Sequence, residues 1–195
     1  MKLTKRILLV LTVILLCAAA LSCSASGDKK WQSSASAYDV LERMITAANE
    51  YEARDDAEYL EDGLIYRGDS TADGEFLTDG QKAYYYGTIA GDPDFSGVLD
   101  YALWTAVDSV STEMGVFVTS DDKAAETVEA FVNERIATLT ANAKDYKAEE
   151  QAKAENALVA VKGKYVIYIV TNINDELEAM AEAAITDKAP TASAE

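Results

Sequence analysis

The stretch Asn156 to Asn172, "NALVAVKGKYVIYIVTN", limits the folds open to this chain more than any other. Two apolar runs flank Lys162-Gly163, and a glycine there permits the tight turn of a β-hairpin. The second run, Val166-Ile167-Tyr168-Ile169-Val170, is apolar at every position. A strand with one wet face would alternate, so this one is expected at the centre of a sheet. Two more strands are predicted upstream. "VLDYALWTAV", about 98–107, is rich in aromatic and branched residues. "TEMGVFVTS" sets Met114, Val116 and Val118 on one face.

Helical periodicity accounts for much of the rest. Val40, Leu41, Met44, Ile45 and Ala48 make one stripe. Ala124, Val128, Phe131, Val132, Ile136 and Leu139 make a longer one, with Ser120 read as its cap and Asp121 and Asp122 suiting its positive end. "KAEEQAKAENA" adds a further turn or two. Thr78-x-x-Gln81 is a capping-box pattern that opens a short helix stopped at Gly87. Asn174 caps a last helix with Leu177, Met180, Ala181, Ala184 and Ile185 on its apolar side. The segment 54–75 is read as loop, with Leu60, Leu64 and Ile65 touching the core. Short turns between strands imply antiparallel pairing. The expected fold is therefore α+β, two-layered, with an antiparallel sheet of about four strands and helices packed on one face.

The N-terminus has the grammar of an export signal. Lys2, Lys5 and Arg6 precede an uncharged run from Ile7 to Leu21. That length suits a secretory segment and falls short of the roughly 20 residues that span hydrocarbon. Ser22 puts a small residue before Cys23, as lipoprotein processing requires, and Ala20-x-Ser22 also satisfies the small-x-small rule of ordinary signal peptidase. The polar "SASGDKKWQSSAS" that follows has the composition of a flexible tether and favours lipidation of Cys23. The expected division is a signal peptide over 1–22, a tether over 23–35, one domain over 36–186 and a tail over 187–195. Cys17 lies in the segment to be removed and reads as a small hydrophobe.

Composition excludes several functions. The formal charge is −17, and loss of residues 1–22 removes three basic residues and no acid. Such a chain repels phosphate backbones, so no nucleic acid partner is expected. Histidine is absent and the domain holds no cysteine. Triads built on histidine, thiol catalysis and His- or Cys-ligated zinc are thereby removed. No cofactor is expected.

The candidate sites are few. Asp69, Asp73, Gly74 and Glu75 begin like a calcium loop, but Thr71 and Gly80 stand where ligands are required, and a solvated acidic loop is the simpler reading. Asp92 and Asp94 flank Pro93 in a turn. Tyr84, Tyr85, Tyr86, Tyr101 and Trp104 suit either a sugar-stacking or partner surface or core packing with a polar tip in water. Glu113 opens an apolar strand and is expected as a strand-end charge in solvent. Lys162 and Lys164 read as solvated edge charges.

Three further stretches carry a resemblance: "YAL" at Tyr101–Leu103, then "EMGVFVTSDDKAAETVEAFVNERI", then Tyr146 with "EEQAKAENALV" running into "GKYVIYIVTN". With the cysteine-bearing signal, they make the chain similar to a family of small lipoproteins of unknown function from low-GC Gram-positive bacteria. The likeness runs best from about 98 to 186. It implies a membrane-anchored extracytoplasmic protein and supplies no catalytic residues. The function expected is a non-enzymatic binding or accessory module, held to the membrane by a lipid on Cys23 and facing a protein or cell-wall partner. The alternatives are a cell-wall glycan hydrolase using Asp/Glu pairs and a calcium-stabilised surface module.

Overall fold

The computed structural model describes residues 34–50, 63–88 and 90–187. The signal peptide, Cys23, most of the tether, Leu60 and the tail beyond Asp187 lie outside the described residues. The hairpin forms as its sequence dictates. Strands β4 (Leu158–Lys162) and β5 (Tyr165–Val170) pair antiparallel, with Lys162 opposite Tyr165. Gly163 takes a φ of 61°, the left-handed value required at the first position of a type II′ turn.

Strands β1 (Gly63–Arg67), β2 (Val98–Ala106) and β3 (Glu113–Thr119) complete one antiparallel sheet in the order β1-β2-β3-β5-β4. β2, β3 and β5 are the inner strands, and every residue of β3 and β5 is buried. The fold class is α+β with an antiparallel sheet, as expected. The fifth strand is β1, in a segment read as loop. It is five residues long, has one buried position, Tyr66, and leaves Leu64 half exposed. An edge strand so short shows no alternation to detect.

Five helices surround the sheet: α1 (Ala37–Glu50), α2 (Asp79–Tyr86), α3 (Asp122–Ala143), α4 (Ala148–Glu155) and α5 (Asn174–Asp187). They cover both faces of the sheet, where one was expected. Val40, Leu41 and Met44 of α1 and Leu177 and Ile185 of α5 pack with Trp104, Met114, Val116, Ile167 and Ile169. On the other face Tyr86 of α2 and Phe131, Val132 and Leu139 of α3 pack with Leu103, Phe117, Val166, Tyr168 and Val170. The cause is already present in β5. Its odd-numbered residues feed one core and its even-numbered residues the other, and each apolar face must be covered.

The helix starts follow capping chemistry. Thr78 and Gln81 form the reciprocal capping box of α2. At α3 the cap is Asp121, whose carboxylate accepts from the Ala124 N–H at 2.9 Å. Ser120 lies one residue outside and donates to Asp121 instead. At α1, Ser36 Oγ accepts from Asp39 N–H at 3.0 Å and Asp39 accepts from Ser36 N–H at 3.3 Å.

Candidate functional site

Buried charge is costly unless paired, so the places where this fold buries charge are where its sequence makes a specific demand. Two such places adjoin each other at one end of the sheet, where β3 begins and β5 ends.

The first centres on Glu113, which is 1% exposed rather than in solvent. Arg135 meets it with both arms of its guanidinium, Nε to Oε1 at 3.0 Å and Nη2 to Oε2 at 2.6 Å. The Tyr168 hydroxyl donates to Oε1 at 2.6 Å, and the Tyr86 and Tyr168 hydroxyls lie 2.9 Å apart. One strand carries the acid, its neighbour β5 carries Tyr168, and α3 and α2 bring Arg135 and Tyr86. Arg135 occupies a position on the buried stripe of α3, between Val132 and Leu139. Gly115 sits opposite Tyr168 across the β3–β5 pair, and a Cβ there would fall inside the Tyr168 ring. The missing side chain is what lets that ring reach the acid. On the outer side the Tyr85 ring lies 4.9 Å from the guanidinium carbon.

The electrostatics follow from burial. It raises the Tyr86 and Tyr168 hydroxyls well above their ordinary value of 10, and the Glu113 charge raises them further. Burial works to lower the Arg135 pKa, but the hydrogen bonds and charge of Glu113 outweigh it and the net direction is up. The Glu113 carboxylate is thus held by three donors. Both tyrosines are held protonated. Such a cluster ties β3, β5, α2 and α3 together and offers neither a free acid nor a free base.

The second place is the β2–β3 loop against α4. Lys153 is 5% exposed. Its ammonium donates to Thr112 Oγ1 at 2.7 Å and to Glu150 Oε1 at 3.2 Å. The other oxygen of Glu150 accepts from Ser109 Oγ at 2.5 Å, from Ser111 Oγ at 2.6 Å and from the Ser111 N–H at 3.1 Å. Burial pushes the Lys153 ammonium down to about 8. Among the described residues, no buried side-chain nitrogen or oxygen lacks a partner. Lys153 also lines an open groove of about 790 Å³, bounded by Asn156, Leu158, Thr171, Asn174 and Asp175.

The residues singled out from sequence are dispersed. Asp69 is engaged by Arg67 through two bonds of 2.8 Å, and Glu75 accepts from Ser70 Oγ at 2.8 Å while Asp73 is exposed. Among the described residues, no group of three or more acidic side chains is arranged to hold a metal ion. Asp94 caps its own turn, accepting from the Ser96 N–H at 2.9 Å. The aromatic candidates fall on opposite faces of the sheet: Trp104 packs in the core beneath α1, and Tyr86 and Tyr101 in the core beneath α2 and α3. Tyr84 is 77% exposed and touches the edge of Tyr85. Lys162 is paired with Glu178 at 3.0 Å. Arg135 and Lys153 escaped sequence reading altogether. For Arg135 the available signal was a basic residue standing on an apolar stripe, three residues after Val132 and four before Leu139.

Residues 94–171 match the family model of a domain of unknown function (DUF4358). The match runs from just before β2 to just after β5, and it contains Glu113, Arg135, Lys153 and Tyr168. No curated protein and no solved structure matches the chain.

Proposed function

We propose that the chain is an extracytoplasmic lipoprotein, anchored by a lipid on Cys23, whose α+β domain is a non-enzymatic accessory or binding module. The observation that carries this reading is the point where the chain enters the domain. Tyr165, at the start of β5, donates its hydroxyl to the Ala35 carbonyl at 2.8 Å. The Ala37 N–H donates to Asp100, near the start of β2, at 2.8 Å. The N-terminal segment is thus fixed to one end of the sheet. The buried charges and the groove lie at the other end, about 20 Å away at the rise of a seven-residue strand. A lipid on Cys23 would hold the first end toward the bilayer and leave the groove facing outward.

Support for a non-enzymatic role comes from Glu113, the acid with the most unusual setting, whose carboxylate is bound by Arg135 and Tyr168. Glycan hydrolysis calls for two carboxyl groups facing one another across a cleft at about 5–10 Å.

Metabolic labelling with a clickable fatty acid tests the anchor. The native chain is expected to carry label and sediment with membranes, and Cys23→Ala to lose both. Label that survives Cys23→Ala overturns the reading. Incubation with purified cell wall tests the second half: release of soluble glycan fragments, abolished by substitution of an acidic residue, would establish an enzyme instead.

A further inference from the structure

An open sheet has two edges, here β1 and β4, and the fold treats them differently. The outer edge of β1 is partly closed, because Arg67 donates its N–H to the Glu75 carbonyl at 2.6 Å and brings the following loop against the strand. β4 pairs with β5 alone. Lys162 and Tyr165 close a two-residue turn, so Leu158, Ala160 and Lys162 direct their backbone groups to β5. The backbone N–H and C=O groups of Val159 and Val161 therefore point away from the sheet. Among the described residues, no backbone group bonds to either.

Exposed edges invite another strand, and natural sheets blunt them with charge. The one charged side chain on β4 is Lys162, and it is neutralised by Glu178 at 3.0 Å and Glu182 at 3.6 Å. The groove continues from the start of the strand and bears Asp175 and Glu176, while its own cation, Lys153, is engaged by Glu150. The charge balance along this edge is negative. A second copy of a chain with a net charge of −17 would set like charge against like.

We propose that the free edge of β4 is a docking site for an extended, positively charged segment of a partner protein, which adds to the sheet as a sixth strand. Val159 and Val161 supply two donors and two acceptors in the spacing an antiparallel or parallel neighbour requires. Glu178 and Glu182 carry two charges against the single one of Lys162, and with Asp175 and Glu176 they leave the edge acidic and favour basic side chains along the added strand. The inference rests on the binding-module reading but not on the lipid anchor.

The test uses the full-length chain in detergent and a fluorescein-labelled octapeptide of alternating lysine and valine. Fluorescence anisotropy is expected to report saturable binding, weakened at least about tenfold by Val161→Pro and severalfold by the double substitution Glu178→Gln, Glu182→Gln. Proline is tolerated at an edge position whose N–H faces outward. Should Val161→Pro fail to fold, hydrogen exchange on the native chain decides, with the Val159 and Val161 amides slowed by the peptide. The proposal is overturned by absence of binding, by equal binding of a glutamate/valine octapeptide, or by protection confined to other strands. It is equally overturned if those two amides are protected by self-association, which assigns the edge to a second copy. Because the assay is run in detergent, its failure leaves the fatty-acid result untouched.

Discussion

At the scale of single residues, Glu113 and Arg135 form a buried ion pair that joins β3 to α3. Removing one partner of such a pair leaves an uncompensated charge and costs about 3–5 kcal/mol. Glu113→Gln is expected to lower unfolding free energy by that amount in urea denaturation. The double substitution Glu113→Gln, Arg135→Met is expected to fall closer to the native chain than Glu113→Gln alone. Equal losses for the single and double variants would mean that the pair is not coupled. Half of this was legible beforehand. Glu113 stands out as a carboxylate opening an apolar strand, yet its burial was not foreseen, because its counter-charge comes from a helix 22 residues later. Arg135 was hidden for the opposite reason. On α3 the surrounding stripe of Val128, Phe131, Val132 and Leu139 reads as a complete apolar face without it. A bidentate pair across two elements is a tertiary fact, and each residue alone looks like surface charge.

At the scale of elements, helix termini and turns were the most legible features because their chemistry is local. The capping box of α2 and the glycine turn between β4 and β5 stand where the residues indicate. The cap of α3 falls one residue later than read, since Asp121 outcompetes Ser120 for the free amides. Asp121→Ala is therefore expected to lower the unfolding midpoint, while Ser120→Ala leaves it nearly unchanged, both measured by thermal or urea unfolding. A larger loss at Ser120 would reverse the assignment. β1 was not legible at all. Its pairing with β2 is set by the aromatic edge of the neighbouring strand: Gly63 lies over the Trp104 indole, where any Cβ would collide. Composition suggests a loop; the strand is held by its pairing with β2, with Ile65 packed against one core and Tyr66 in the other.

At the scale of the whole molecule, the two cores share one sheet, and the buried tyrosines of one of them tie stability to pH. The folded state holds Tyr86 and Tyr168 protonated well above 10, whereas in the unfolded chain tyrosines ionise near that value. Above it the unfolded state binds fewer protons, so stability falls as pH rises. Lys153 acts with the opposite sign. Its folded value of about 8 lies below the ordinary 10.5, so between the two the unfolded state binds more protons and stability rises. Urea midpoints are therefore expected to hold or rise from pH 8 to 10 and then to drop steeply, with tyrosinate absorbance appearing only as the chain unfolds. Tyrosinate that titrates fully near pH 10 in the folded protein would contradict the burial of the pair. The three-layer arrangement was half visible in the two-sided apolarity of β5, which calls for a helix layer on each face. The junction at Ala35 and Ala37 has a mechanical meaning as well. A pull applied from the N-terminal side does not peel α1 away turn by turn; it loads the Tyr165 hydroxyl and the Asp100 carboxylate first, and through them β5 and β2. Those two hydrogen bonds are the first to bear force, in series with the sheet rather than in parallel with the helix.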